Sequence, residues 1–458
     1  MNRSVEAGPT RSRILVGRLF ALGRTRTGVL ALTAIGTLLV RTISSMTLTR
    51  LLRPDDFGIV GIIGSVFFTA AMFTDLGFQA FLVRHQRTEE RHFRDVIWTI
   101  HAKRGIALFA LTALTSPLIA WLFGKPTVTL PLAVASATFA LEGLASLSLI
   151  TALRQDKSRE LSLFDLGLQV FQTVASIVLA LWLRNVWAMI AAMMLQSSAR
   201  TFLSYRLFSG SSQRLASDPA IFREFLAFSR VILVSSILTL MLAQSDKIVL
   251  ARLFSLRDFG LYSLAISITT APKSFALSFV TRVAFPVYAQ TWRERPSALG
   301  NTYYSVKRRA SILYALGCGA LIGGAPLLIA ILYDPRYAAA STYISLIMIS
   351  VALQITNTSA TELLTAAGEM KALVHVNLVR LVWLAIAMPL GFWFGGPIGI
   401  VAAVGLIEMP ATMFNWILLQ RLNVLDWREE LLNLGLIGGT ALIASAGSTL
   451  ALRLMPHL

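Results

Sequence analysis

Cysteine and charge are the scarce ingredients of this sequence. A single cysteine, Cys318, stands within an apolar stretch, which excludes a disulfide framework or a cysteine metal cluster. The five histidines, His85, His92, His101, His375 and His457, show no metal-ligand spacing. A G-x-x-x-x-G-K-[ST] loop is absent, so the chain has no such cradle for ATP phosphates and cannot drive work by its own hydrolysis. No soluble catalytic signature stands in their place, and neither an enzyme activity, a cofactor nor a nucleic-acid partner is expected. Charged residues make up only 14% of the 458 positions, and the acidic ones are fewer: 23 Asp and Glu against 41 Lys and Arg.

What fills the sequence instead is apolar. Hydrophobic residues account for 55% of the chain, more than a soluble domain carries, so most of the chain belongs in lipid. A helix needs about 20 mainly apolar residues to cross a hydrocarbon core about 30 Å thick. Runs of that kind fall at 28–50, 57–80, 95–123, 128–150, 161–183, 186–208, 226–252, 259–287, 309–333, 340–366, 372–394, 398–420 and 431–454. The reading is all-α: a polytopic membrane protein of about 12–14 transmembrane helices, with thirteen counted. Arg3, Arg11, Arg13, Arg18, Arg24 and Arg26 precede the first run, which lacks an obvious small-residue cleavage site and is read as a retained helix.

Lysine and arginine are disfavoured in short translocated loops. Placing the N-terminus in the cytoplasm puts Arg84, Arg87, Arg91, Arg94, Arg154, Lys157, Arg159, Arg206, Arg214, Arg293, Arg295, Lys371, Arg421 and Arg428 on that side. The opposite loops hold few bases, among them Arg50, Arg53, Lys125, Arg252 and Arg336. An internal repeat is also visible. Leu48-Thr-Arg-Leu-Leu-Arg-Pro-Asp-Asp-Phe-Gly58 returns as Leu250-Ala-Arg-Leu-Phe-Ser-Leu-Arg-Asp-Phe-Gly260. In each copy Asp suits a helix start and Gly is read as relieving the turn. The recurrence divides the chain into a basic segment 1–27, a six-helix bundle 28–208, a cytoplasmic linker 209–225, a second six-helix bundle 226–421 and an additional C-terminal helix 422–458. Six spans per copy give both halves the same orientation, a parallel repeat about the membrane normal.

Ionisable groups inside the spans are costly and usually face a partner or a wet cavity. Arg41 shares a polar stripe with Thr33, Thr37, Ser44 and Ser45, and Lys273 follows Pro272, where a kink is expected. Lys103, Arg104, Arg200 and Arg380 stand nearer the cytoplasmic face, where snorkelling competes with a cavity role. Gln354 and Asn357 add polar groups to the tenth run. Asp246 with Lys247 reads as an ion-paired group. Asp75, Glu142 and Glu408 are candidates for ion or proton coupling, against the plainer reading that each neutralises a basic neighbour. A lumen whose deepest charges are Arg41 and Lys273 suits an anionic passenger, because guanidinium and ammonium groups pair with phosphate.

Leu48 to Gly58, Asp75-Leu76-Gly77, and the stretch from Ser245-Asp246-Lys247 to Leu261-Tyr262-Ser263 resemble the Wzx-type oligosaccharide flippases. These form the polysaccharide-transport branch of the superfamily that includes multidrug and toxin extruders and the peptidoglycan lipid flippase. The likeness covers about residues 20–425. It implies two pseudo-symmetric six-helix bundles around a central cavity, alternating access, and a polyprenyl-diphosphate-linked oligosaccharide carried across a bacterial inner membrane. The product implied is O-antigen or exopolysaccharide, with polysaccharide polymerase or assembly proteins as partners. A multidrug or cation antiporter needs unpaired acidic groups in its cavity, a peptidoglycan lipid flippase would rescue a depleted strain, and a glycan-assembly scaffold would tolerate charge reversal at Arg41 and Lys273.

Overall fold

A run of apolar residues in lipid satisfies its backbone internally only by coiling, and the runs above coil into helices that pass back and forth between two ends of the molecule. The computed structural model describes residues 26–74, 77–208 and 213–454, and no strand occurs among them. The first half comprises α1 (Arg26–Leu51), α2 (Pro54–Thr74), α3 (Phe78–Arg84), α4 (Arg91–Phe123), α5 (Thr129–Ala135), α6 (Ala137–Gly143), α7 (Ser148–Arg154), α8 (Ser158–Leu183) and α9 (Trp187–Leu207). The second comprises α10 (Pro219–Leu253), α11 (Leu256–Phe279), α12 (Phe285–Glu294), α13 (Leu299–Leu332), α14 (Ala340–Ala366), α15 (Met370–Gly405), α16 (Glu408–Arg421) and α17 (Trp427–Leu454). Among the described residues, nine helical segments are long and apolar enough to cross a membrane, and a bent pair, 126–143 with 148–154, makes a tenth. The 52-residue segment Met370–Arg421 reverses at Gly396 and so serves two passes, and α9 and α10 complete the alternation. The chain is a multi-pass membrane protein.

Several boundaries differ from the hydrophobic runs, each for a local reason. The fourth pass is broken: Pro126–Gly143 and Ser148–Arg154 meet at 55°. Ser146 and Ser148 compete there with helical hydrogen bonding, the Ser146 hydroxyl accepting from the Ser148 N–H at 3.1 Å. In the eighth pass α11 runs through Pro272, and the irregular turn comes later, as a π segment Val280–Ala284. Pro286, one residue into α12, lacks the N–H that a regular helix would use there. The helix α10 starts seven residues ahead of its apolar run, capped by Asp218, whose Oδ1 accepts the Ala220 N–H at 2.8 Å. That amide and its neighbour hold the Asp218 carboxyl below the usual range. The added turns are amphipathic and bury Ile221 and Phe225 against Phe78, Phe81 and Phe93 of the first bundle. Part of the expected linker is therefore helix.

At the far end of α15, Gly396 adopts φ 58° and ψ −147°, a conformation open to glycine, and the chain doubles back. The two arms meet so closely that a Cβ on Gly391 would stand 2.3 Å from the Gly399 carbonyl oxygen, and the Trp383 indole donates to Ala403 O at 2.8 Å. The central helix of the second bundle is α14, which packs against α11, α13, α15 and α16 and is the most buried of the spans. The thirteenth pass, α17, lies along α13. Gly319 and Gly323 of α13 lie against the backbone of Ile437 and Ala441, and Lys307 and Glu430, each 1% exposed, pair at 2.6 Å.

Candidate functional site: the path between the bundles

The two copies of the repeat meet each other. Gly58 and Gly260 are helical residues of α2 and α11, and each faces the other helix's first turn. A Cβ on Gly58 would lie 2.0 Å from the Leu256 carbonyl oxygen, and one on Gly260 would lie 1.9 Å from that of Pro54. Glycine is therefore required by the approach of two backbones, not by a turn, which corrects the reading made from sequence. The aspartates do close their helix starts: Asp56 Oδ2 accepts the Arg53 N–H at 3.0 Å, and Asp258 pairs reciprocally with Ser255.

This contact is the centre of a seal between the two copies of the repeat. The Tyr337 hydroxyl donates to Leu52 O at 3.3 Å, the Arg336 guanidinium donates to the carbonyls of Thr49 and Arg50, and the hydroxyls of Ser45 and Tyr333 stand 3.1 Å apart. Asp334 shares the Arg336 guanidinium at 2.8 Å, which holds its carboxyl below the usual range. Inward from the seal, α2, α10 and α11 enclose a cleft of about 270 Å³ lined by Gly61, Ser65, Gln244, Lys247 and Ser263.

The predicted residues distribute in three ways. Lys273 is exposed on α11 and is not among the residues that line the cleft. Lys247 is the residue that sequence reasoning undervalued. Its neighbour Asp246 accepts from the buried Tyr262 hydroxyl, whereas Lys247 Nζ donates to Ala243 O at 2.9 Å and borders the cleft. Adjacent helical positions do not share a face, and that rule was the available signal against a simple pair. Arg41 is exposed on α1, with its Nε 3.5 Å from Gln169 Oε1 of α8.

A second group lies inside the first bundle. Arg104, Arg200 and Glu142 border a pocket of about 380 Å³ together with His101, a residue not singled out from sequence. Arg104 also donates to Thr74 Oγ1 at 3.0 Å, and Arg200 pairs with Asp165 at 3.1 Å. Arg104 comes thirteen residues after the start of α4, roughly 20 Å along the helix at 1.5 Å per residue, deeper than the apolar run implied. Lys103, beside it, is exposed.

The third group is a buried knot in the second bundle. Arg380 donates to Glu408 Oε2 at 2.6 Å, and Asn357 donates to the same oxygen at 2.6 Å and to the Glu408 carbonyl at 3.0 Å. Asn415 donates to Asn357 Oδ1 at 3.3 Å, and Gln354 lies half-buried one turn away on α14. Asp75 falls outside the described residues.

Residues 47–342 match the family described as "Polysaccharide biosynthesis protein". The chain belongs to this family. It is 25% identical over 260 residues to "Succinoglycan biosynthesis transport protein ExoT" of Rhizobium meliloti (strain 1021), a match spanning 57% of this chain and 52% of that protein. It is 22% identical over 304 residues to "Teichuronic acid biosynthesis protein TuaB" of Bacillus subtilis (strain 168), spanning 65% and 62%. The chain thus matches about half to three-fifths of the length of these relatives. Among solved structures it superposes on "Lipid II flippase MurJ, inward closed conformation" with a TM-score of 0.71 at 11% identity, covering 91% of both chains. It superposes on an inward-facing multidrug resistance MATE family transporter with a TM-score of 0.59 at 13% identity, covering 85% of this chain and 99% of that one. The chain therefore shares the fold of these two transporters.

Proposed function

We propose that this family member moves polyprenyl-diphosphate-linked oligosaccharides from the cytoplasmic to the outer leaflet of a bacterial inner membrane, for exopolysaccharide or O-antigen assembly. The observation that supports the reading is Lys247 at the cleft beside the Gly58–Gly260 contact, with Arg41 and Lys273 exposed on α1 and α11. A diphosphate entering from the cytoplasm meets cations whose ordinary partners are neutral groups. Its outward movement is favoured by an inside-negative membrane, by roughly 2.3 kcal/mol per charge per 100 mV, so no ATP site is needed. The relatives named above, a transport protein for succinoglycan biosynthesis and a teichuronic acid biosynthesis protein, support the same substrate class.

In this reading the N-terminus is cytoplasmic, as the basic loops require, and alternation consists of opening the Gly58–Gly260 seal while the cytoplasmic side closes. No bond is made or broken, and the chain acts as a carrier. A cation antiporter of the same fold is less well served: Glu408 is engaged by Arg380 and Asn357, and Asp246 by Tyr262. The test is polysaccharide export in cells whose only copy carries Arg41→Glu or Lys273→Glu. Export should be lost while the protein still inserts, and lipid-linked intermediates should collect on the cytoplasmic leaflet. Normal surface polymer in both variants would refute the cationic path and favour a scaffold role.

A further inference from the structure

The first bundle contains a pocket that passage of a diphosphate does not explain. It is opened by the break in the fourth pass, Leu144 to Leu147, where helical hydrogen bonding stops at membrane depth. Non-helical backbone is tolerated there only inside protein or along a cavity, and here both hold. The Trp98 indole donates to Ala145 O at 3.2 Å, the Tyr205 hydroxyl donates to Leu144 O at 2.7 Å, and the Ser146 N–H donates to Ser204 Oγ at 2.9 Å. On one side, α4 and α6 meet at Gly105 and Gly143, where a Cβ on Gly105 would lie 2.5 Å from Phe139 O. The tenth pass, α14, is one continuous helix. The break is thus particular to the first bundle, where it makes room for about 380 Å³, within the usual range for a ligand pocket, about 300–1,000 Å³.

The lining decides what fits. Arg104 and Arg200 offer N–H donors, Glu142 offers carboxylate acceptors and is exposed, and Phe139 adds an aromatic wall. Ser197 and Asp165, neither of which lines the pocket, hold Glu142 at 3.3 Å and Arg200 at 3.1 Å. Glu142 opposes a diphosphate, and the two guanidinium groups oppose a cation. A neutral polyol is opposed by neither, because each hydroxyl both donates and accepts, and the C–H face of a sugar ring packs on an aromatic side chain. We infer that this pocket binds a sugar of the passenger's oligosaccharide, so that the first bundle selects the glycan while the basic path between the bundles takes the diphosphate. The inference rests on the flippase reading.

Two probes separate the two ideas on the full chain in lipid nanodiscs: bare polyprenyl diphosphate, and the same lipid bearing the host's repeat unit. The glycosylated probe should bind at least about tenfold tighter, as expected where hydroxyls meet charged partners. Glu142→Gln, which keeps the side chain's shape, and Arg200→Gln should each erase that preference and leave the bare probe's affinity unchanged, which also shows that the variants are folded. Equal binding of both probes by the unaltered chain overturns the sugar pocket and leaves the flippase reading standing. Equal weakening of both probes in the variants also overturns it, since the pocket would then hold the diphosphate. Failure of the unaltered chain to bind either probe defeats the flippase reading and the pocket with it.

Discussion

Gly260→Ala should open the outer face. The added Cβ would meet the Pro54 carbonyl oxygen at 1.9 Å and the Gly58 nitrogen at 2.9 Å, both backbone atoms that no rotamer change can move. Contact distances below 3.0 Å are not sustained, so the first turns of α2 and α11 must part by ~1 Å in an interior that is close-packed. Overpacking of this kind costs about 1–3 kcal/mol, charged to the sealed conformation alone. Converted to an equilibrium, that is roughly 5- to 150-fold toward an outward-open state. The lone cysteine makes the assay clean: Cys318 is buried and can be replaced by alanine, with Ser45→Cys as reporter at the seal. Labelling by a membrane-impermeant maleimide from outside should accelerate by that factor in Gly260→Ala. Gly64→Ala, on the facing helix α2 but with nothing within 4 Å of the new Cβ, should leave the rate unchanged. An unaltered rate in a folded Gly260→Ala protein would refute the claim that these glycines hold the seal.

Two further outcomes concern buried charge. Removing either partner of Lys307–Glu430 strands an ion at a site 1% exposed and should cost about 3–5 kcal/mol. The double replacement Lys307→Met with Glu430→Leu should cost far less, and thermal unfolding of the four proteins of that cycle in detergent checks it; strictly additive losses would contradict a coupled pair. Glu408→Gln leaves the Arg380 guanidinium without its 2.6 Å carboxylate partner and should likewise lower thermal stability before it affects transport. Unchanged stability combined with abolished export would instead assign Glu408 to ion coupling.

The helical, multi-pass character and the repeat were legible because lipid imposes a coarse rule, about 20 apolar residues per pass, and because duplicated ends keep their spelling. What the repeat did there was not legible. The residues Asp-Phe-Gly read as local turn chemistry, while the glycines serve a contact about 200 positions away in the chain. The break in the fourth pass was hidden for a related reason: the hydrogen-bond partners that make the break tolerable, Trp98, Ser204 and Tyr205, belong to other helices. Arg380 and Glu408 each read as intramembrane charge, but only packing of α15 on α16 shows that they are partners.

That division between paired and lightly held charge carries the functional argument. Four carboxylates in the interior have specific partners: Asp246 the Tyr262 hydroxyl, Glu408 the Arg380 guanidinium, Glu430 the Lys307 ammonium and Asp95 the Arg214 amide. The bases Arg41, Lys247 and Lys273 instead contact an amide oxygen, a backbone carbonyl and open space respectively. Sequestering an uncompensated ion from water costs several kcal/mol, so in the path proposed above these three groups stay hydrated at rest. There a diphosphate that replaced this water would return charge for charge, and a neutral or cationic passenger would not. On the proposed function, selection for an anion therefore lies in the cost of drying the path, without a dedicated phosphate motif in the sequence.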